Sequence, residues 1–313
     1  MPHQVGYCCI NTTLNKQGIT TGRTMRKATF QQKGLAYASE LALQNAHDLL
    51  RIIKWNIDNN VKVFRMGSGI FPWASEYDNI TSLPDATEII DTLQTAGKLA
   101  TVSGQRITAH PDHFVKLASA KQSVVDNSIK ELHMHSFVFD LMGLSVTPYN
   151  AINIHVGMNF SEETAARWIA SYNKLHPRCR ARMVVENDDK QSGFSVIQLF
   201  TYLYSTLNIP ITFDYFHHQF HSDGLSTQHA AELAAGTWPV GVTPLFHYSE
   251  SKNINENVSG NPRAHADYVF NRIDDFGMTL DIDLECKQKE LALFKYREIV
   301  SKWKKYIPTQ EVM

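Results

Sequence analysis

The sequence has few cysteines, no excess of either charge and no long apolar run. Its four cysteines, Cys8, Cys9, Cys179 and Cys286, lack Cys-x-x-Cys spacing, which argues against zinc bound by thiolates and favours reduced thiols. Lysine and arginine number 30 against 31 acidic residues, so net charge provides no global attraction to a polyanion. No apolar run reaches the ~18 residues of a membrane span. We therefore expect a cytoplasmic protein without a targeting signal or membrane segment.

Strand-like and helix-like segments alternate along the chain. The strand-like runs are QVGYCCI (4–10), VKVFRM (61–66), LATVSG (99–104), AINIHV (151–156), ARMVVE (181–186), IPITFD (209–214), a weaker one in WPVGVTPLFH (238–247) and MTLDIDLE (278–285). The helix-like stretches cover 34–60, 86–97, 121–143, 161–175, 195–208, 226–236, 262–273 and 290–306. This pattern predicts an α/β fold.

Eight such units in 313 residues, with no linker rich in proline or glycine, predict a single (β/α)8 TIM barrel that spans residues 1–313 as one domain. The alternative is an open doubly wound sheet, but no glycine-rich phosphate loop follows the first strand. In a barrel, the carboxyl ends of all strands open onto one face, which carries the active site.

Residues that commonly bind metals stand at the ends of several strand-like runs. They are His110, His155, Glu186, Asp214, His247 and Glu285. His217 follows Asp214 in a D-x-x-H pattern, and His265 lies in PRAHADY, in a loop or helix start after the seventh strand. Because a carboxylate can bridge two ions while an imidazole donates to one, Glu186 and Glu285 are the expected bridges. The pattern predicts a centre with more than one divalent ion.

Two activities fit such a centre. Two neighbouring divalent ions can activate water and stabilise a departing oxygen, as in phosphodiester hydrolysis. A metal-dependent sugar isomerase or epimerase would use similar carboxylates and imidazoles in a similar barrel. The residue pattern alone leaves both open.

The chain resembles the UV damage endonuclease family, metal-dependent barrel enzymes that nick DNA 5′ to UV photoproducts. The resemblance rests on GYCCINTTL, HPDHF, INIHVG, VVENDD, FDYFHH, HYSES, AHADY and DLECKQKE, which occur in the family's order over nearly the whole chain. It implies a DNA repair enzyme acting on UV-damaged duplex DNA that carries cyclobutane dimers or 6-4 photoproducts. We further expect a monomer that works in the cytoplasm in association with the nucleoid.

The resemblance also assigns roles to single residues. It implies that up to three divalent ions, manganese first and zinc or magnesium as alternatives, are held by His110, His155, Glu186, Asp214, His217, His247, His265 and Glu285. Glu186, Glu285 and His247 are the expected catalytic residues. The family probes the lesion with a Gln-Tyr pair after the His-Pro motif; here the pair is His113-Phe114, and we expect Phe114 to act as an apolar wedge. The other expected DNA contacts are Tyr7, Asn11 and Arg65, with Arg23, Arg26 and Lys27 as candidate phosphate contacts.

Besides the His113-Phe114 pair, and Gly67 and Gly69 after the second strand, two more positions depart from the family pattern. Leu245 stands where the family often has a lysine that can be carboxylated beside the metals, and Phe216 replaces a third consecutive histidine. Neither departure removes a proposed ligand. A further alternative is a protein that binds lesions but has lost turnover through these changes.

Overall fold

The computed structural model describes residues 4–77 and 80–306, so both ends of the predicted domain, at 1–3 and 307–313, lie outside the described residues. Its strands are β1 (Gln4–Cys9), β2 (Val63–Met66), β3 (Arg106–Ala109), β4 (Ile152–His155), β5 (Met183–Glu186), β6 (Ile211–Thr212), β7 (Leu245–Tyr248) and β8 (Asp281–Leu284). All pair in parallel, in the order β6-β5-β4-β3-β2-β1-β8-β7.

The sheet closes between its two outer strands. The backbone N–H of His247 donates to the carbonyl oxygen of Phe213 over 2.9 Å, and Asp214 and His247 form a parallel bridge. Closure removes the free edges of the sheet and turns all carboxyl ends of the strands to one side. The (β/α)8 barrel predicted from the sequence is confirmed.

Helices connect the strands. They are α1 (Thr12–Asn15), α2 (Lys27–Asp58), α3 (Ala86–Val102), α4 (Gln122–Leu141), α5 (Glu162–Tyr172), α6 (Pro177–Arg180), α7 (Val196–Leu199), α8 (Ser205–Leu207), α9 (Tyr215–Phe220), α10 (Thr227–Ala235), α11 (Lys252–Asn255) and α12 (Lys289–Tyr306). A π-helical turn at Phe200–Tyr204 joins α7 to α8. Gly34, at φ 64°, interrupts α2, so the unbroken part of that helix begins near the predicted start. Across the described ranges, no helix is both long enough and apolar enough to cross a bilayer.

The third strand was predicted at the wrong place. LATVSG (99–104) is mostly the end of α3, which runs to Val102, and the strand is Arg106–Ala109. The buried residues of α3 recur at helical spacing through Leu93, Ala96 and Ala100. Tertiary packing therefore extends this helix over a segment whose composition also suits a strand.

The helix predicted at 262–273 is also wrong, because this segment is a loop. His265 pairs with Ser251 in an antiparallel bridge. The buried carboxylate of Glu250 accepts hydrogen bonds from the backbone N–H groups of Phe270 and Asn271, at 3.2 and 3.0 Å. A side chain thus satisfies donors that a helix would have satisfied internally.

An apolar cluster separate from the main core fills part of the barrel. It consists of Val63, Ala151, Val184, Trp238 and Leu245. Leu245 is fully buried and lies two residues before His247, so both side chains point to the same face of β7. Leucine at this position therefore extends the apolar packing inside the barrel beneath the proposed ligands.

Candidate metal centre

The strand ends bring the predicted ligands together. His155 and Glu186 are the last residues of β4 and β5 and stand opposite each other in the sheet. His247 lies within β7, and Glu285 directly follows β8. Side chains alternate along a strand, so this register places all four on the inner side at the carboxyl end of the barrel.

Glu186 is the centre of the cluster. Its fully buried carboxylate lies 3.2 Å from Nε2 of His110, 3.7 Å from Nε2 of His155, 3.3 Å from Nδ1 of His217 and 3.0 Å from Nδ1 of His247. One carboxylate among four imidazoles is the arrangement expected of a bridging ligand.

Glu285 forms a second focus beside the first. Its carboxylate pairs with Nη1 of Arg65 at 2.5 Å and lies 3.4 Å from Nδ1 of His247 and 3.8 Å from Nδ1 of His265. His247 therefore stands between the two carboxylates. Asp214 is fully buried beside Glu186 and Glu285. Its carboxylate accepts a hydrogen bond from the backbone N–H of His217 over 2.7 Å and so caps the N-terminus of α9.

The donor atoms suit divalent ions. Two sets, His110–His155–Glu186 and Glu186–Asp214–His247–Glu285, each offer ligand atoms within 4.8 Å of one another, and they share Glu186. Within the described residues, Nε2 of His247, Oδ2 of Asp214 and Oε1 of Glu186 are buried without a hydrogen-bond partner. Buried polar atoms are normally paired, so unpaired imidazole and carboxylate atoms that converge fit a site for borderline divalent cations.

Electrostatics keep the carboxylates ionised. Burial would raise the pKa of Glu186, but the imidazoles of His247 and His155 outweigh burial and hold that pKa well below its usual range. Burial likewise acts to raise the pKa of Glu285, and Arg65 and His247 lower it instead. Both glutamates are therefore ready to bind cations at neutral pH.

The neighbouring groups hold protons more tightly. Burial lowers the pKa of His247, but Glu186 and Glu285 outweigh it and raise the pKa to about 9. The pKa of His217 is raised well above its ordinary value because Asp214 and Glu186 outweigh burial. Burial raises the pKa of Asp214 to about 6. These protons must leave before the same atoms can bind an ion.

Metal affinity is therefore expected to fall as the pH falls. Below pH 9 a bound ion must displace the proton of His247, and below pH 6 also that of Asp214, so the decline steepens there. Calorimetric titration with Mn²⁺ at pH 7 in two buffers of different ionisation enthalpy should show release of about two protons, from His217 and His247. An affinity that stays constant between pH 6 and 9 would contradict these proton assignments.

Residues that the sequence did not single out orient the ligands. Oδ1 of Asp188 lies 3.3 Å from Nδ1 of His155, and the carbonyl oxygen of Asn187 lies 2.9 Å from Nδ1 of His217. Asn153 donates from Nδ2 to Glu186. The sequence could have indicated Asn153, because it lies two residues before His155 and so shares its face of β4. Nothing distinguishes Asp188 from the other polar residues of the run ENDD.

The exchange Asp188→Asn is expected to weaken metal binding about 10- to 100-fold. Oδ2 of Asp188 is occupied by the backbone N–H of Phe194 at 2.9 Å, so an asparagine would turn its NH2 group toward Nδ1 of His155. That imidazole would then carry its proton on Nε2, the atom that faces Glu186. Isothermal titration with Mn²⁺ measures the loss, and Asp189→Asn, whose carboxylate pairs with Arg263 at 3.1 Å, is the matched control. Equal affinity for both variants would remove Asp188 from this role.

A cleft lies over the centre. One part, of about 660 Å³, is bounded by the loops after β1, β2 and β3 and by His155, His217 and Glu285. A second part, of about 330 Å³, shares His155 and His217 with the first and extends along the loops after β4 and β5. The two parts form one groove across the ligand cluster.

The residues predicted to contact DNA fall into two groups. His113 and Arg65 line the cleft, and Phe114 beside them is 54% exposed. Tyr7 and Asn11 do not reach the cleft, because both are buried and bonded to each other: Nδ2 of Asn11 donates to the hydroxyl of Tyr7 over 2.9 Å. In this structure they therefore have no surface for a ligand, a correction to the expected DNA contacts.

The candidate phosphate contacts also differ among themselves. Arg23 pairs with Asp48 at 2.6 Å, and its guanidinium donates to the carbonyl oxygens of Thr20 and Gly18 at 2.5 and 2.6 Å. The guanidinium of Arg23 therefore stabilises the loop that carries it. Arg26 and Lys27 are exposed at the start of α2, so they stay candidates for phosphate contacts.

Phe216, at the departure from the three-histidine pattern, is buried and stands edge-on to His265, with ring centroids 5.4 Å apart. It packs behind a proposed ligand and offers no donor atom itself. The two candidate ligand sets do not include it.

Known proteins match the chain in sequence. The model of the UV-endonuclease UvdE family matches residues 3–310. The UV-damage endonuclease of Schizosaccharomyces pombe is 33% identical over 304 residues, which cover 93% of this chain and 50% of that protein. A putative UV-damage endonuclease of Acanthamoeba polyphaga mimivirus is 30% identical over 314 residues, which cover 95% of this chain and 92% of the relative. The chain thus spans about half the length of the yeast relative.

Solved structures match the fold. The crystal structure of SacUVDE has a TM-score of 0.81 and 28% identity, and the match covers 96% of this chain and 99% of that one. The D-psicose 3-epimerase with D-tagatose from Clostridium cellulolyticum H10 has a TM-score of 0.52 at 10% identity and covers 75% of this chain and 78% of that one. The second likeness shows a shared fold only.

Proposed function

The chain belongs to the UV-endonuclease UvdE family, and from this premise we propose that it is a metal-dependent DNA repair endonuclease. It would nick duplex DNA 5′ to cyclobutane pyrimidine dimers and 6-4 photoproducts. The observation that carries the proposal is the convergence of six other imidazole and carboxylate side chains around Glu186 and Glu285, beneath an open cleft.

The cleft supports a nucleic-acid substrate. Photoproducts weaken base stacking, so less free energy is needed to bend the duplex and extrude the damaged bases. A groove of about 660 Å³ that reaches the ligand cluster suits such an extruded nucleotide. Phe114, which is exposed next to His113, would enter the gap that the bases leave.

The proposed mechanism assigns each residue a task. Divalent ions, up to three and manganese first, would supply Lewis acidity that activates water and stabilises charge on the leaving oxygen. Glu186, Glu285 and His247 are the proposed catalytic residues: the ionised glutamates would hold the cations, and His247 lies 3.0 Å from Glu186 and 3.4 Å from Glu285. Arg65 pairs with Glu285 at 2.5 Å and lines the cleft wall, where a backbone phosphate would lie.

Mapping of the incision site tests this proposal. A duplex with one thymine dimer and a labelled 5′ end, incubated with Mn²⁺, should give a single product that ends directly 5′ to the dimer. A 6-4 photoproduct should be cut in the same way, and the undamaged duplex should stay intact. Retention of the damaged duplex in a gel shift without cleavage would favour a lesion-binding protein, and conversion of a ketose such as D-psicose would favour an epimerase.

The remaining parts of the proposal concern the setting. We propose that the protein acts as a monomer on DNA in the nucleoid. The buried unpaired donors of His247 and Asp214 support metal use, and the choice of manganese rests on the family resemblance. Sedimentation with and without a damaged duplex would test the monomer.

A further inference from the structure

Ile10 is an apolar side chain in an unusual place. It is 45% exposed and lines the cleft beside polar residues such as Thr20, Arg65 and Ser68. It takes no part in the ligand cluster. From its position on the wall of the groove, this side chain can contact an apolar surface of a ligand, such as the face of a base.

The backbone presents Ile10 through a tight turn. Cys9 adopts φ 67°, in the left-handed region that is uncommon for residues with a side chain, and the N–H of Ile10 donates to the carbonyl oxygen of Cys8 over 2.8 Å. This is a γ-turn of the rare, strained kind with positive φ. Strained turns persist where the surrounding structure holds them, and they cluster at functional sites.

Two anchors hold the turn. On one side, the hydroxyl of Tyr7 donates to Asn56 over 2.8 Å and accepts from Asn11 over 2.9 Å. On the other side, the buried carboxylate of Glu290 accepts hydrogen bonds from the backbone N–H groups of the first two residues of α1, each at 2.7 Å. Tyr7 and Asn11 thus position the turn that presents Ile10, and neither of them contacts the cleft.

Ile10 and Phe114 stand at separate points of the rim. Ile10 follows β1 and Phe114 follows β3, with β2 between these strands. The ends of β1 and β3 lie about 10 Å apart, because neighbouring strands are about 4.8 Å apart. Side chains carried by loops from two separate strand ends can contact different bases of one duplex.

We infer that Ile10 is a second apolar wedge, which packs against the bases opposite the photoproduct while Phe114 fills the damaged strand. This inference rests on the proposed function. Isoleucine is one of the side chains that proteins insert between base steps. Because it forms no hydrogen bonds with base edges, Ile10 would respond to weakened stacking and not to sequence.

The test compares Ile10→Ala with the parent on a duplex that carries one thymine dimer and 2-aminopurine opposite it. The variant should lose about tenfold in affinity for damaged over undamaged duplex in EDTA, and the rise in 2-aminopurine fluorescence on binding should shrink. Ile10→Leu should restore both signals. Val102→Ala, which removes a more exposed apolar group (79%) at the end of α3, is the control.

The possible outcomes separate this inference from the proposed function. A parent that discriminates between the duplexes, together with an Ile10→Ala variant of equal discrimination and equal fluorescence, would overturn the role of Ile10 alone. A parent that neither discriminates nor nicks would overturn both. Unchanged Mn²⁺ binding by Ile10→Ala is part of the expected result, because this side chain lies outside the ligand cluster.

Discussion

Replacing Glu186 with glutamine is expected to reduce nicking of irradiated DNA about 1000-fold or more. The amide cannot bridge two cations, and loss of about 4 kcal/mol of electrostatic stabilisation corresponds to that factor. Glu186 is fully buried within 3.7 Å of four imidazoles, at the centre of the cluster. Initial rates on a duplex with one dimer, together with Mn²⁺ stoichiometry from calorimetry, measure the effect.

The matched control for this variant is Glu163→Gln on the exposed face of α5, where the carboxylate is 82% exposed. Its activity should equal that of the parent, because an exposed ion pair contributes little. Circular dichroism establishes that both variants are folded. Near-parental nicking by a folded Glu186→Gln protein would refute the metal centre as assigned.

Replacing Phe114 with alanine is expected to reduce discrimination between damaged and undamaged DNA about tenfold or more. Stacking of a base on an aromatic side chain contributes about 1–3 kcal/mol, and the ring of Phe114 is 54% exposed beside the cleft. The metal centre should be unaffected, so the variant should bind Mn²⁺ as the parent does. Competition between the two duplexes for binding and for nicking measures the change.

The exchange Phe114→Tyr serves as the matched variant, because it keeps the aromatic plane and should keep discrimination. If Phe114→Ala instead discriminated as well as Phe114→Tyr, stacking by this ring would have no part in recognition. His113, whose ring centroid lies 6.4 Å from that of Phe114, would then be the next candidate in this loop.

Much of the barrel could be predicted because its strands are short runs that end in polar residues. INIH and MVVE are strands as expected, and their last residues lie side by side. The third strand was missed because α3 continues through LATV, where a buried helical stripe and a strand have the same composition. The local sequence does not distinguish a helix from a strand here, because the packing of α3 determines which of the two forms.

The candidate site could be predicted for side chains on strand ends and less well elsewhere. His155 and Glu186 followed from the fold alone, whereas the contact of His265 with Glu285 depends on an irregular loop. Tyr7 was misjudged because the direction of a side chain is set by the register of its strand: Tyr7 points to Asn56 on α2, away from the cleft. The family resemblance implies a role for Tyr7 but does not predict where its side chain points.

The most direct test of the central claim is nicking of supercoiled plasmid, irradiated or not, with Mn²⁺ and then with excess EDTA. We predict nicking that requires irradiation and is abolished by EDTA. Nicking of irradiated plasmid that persists in EDTA, or no nicking by protein with bound Mn²⁺, would contradict a metal-dependent UV damage endonuclease.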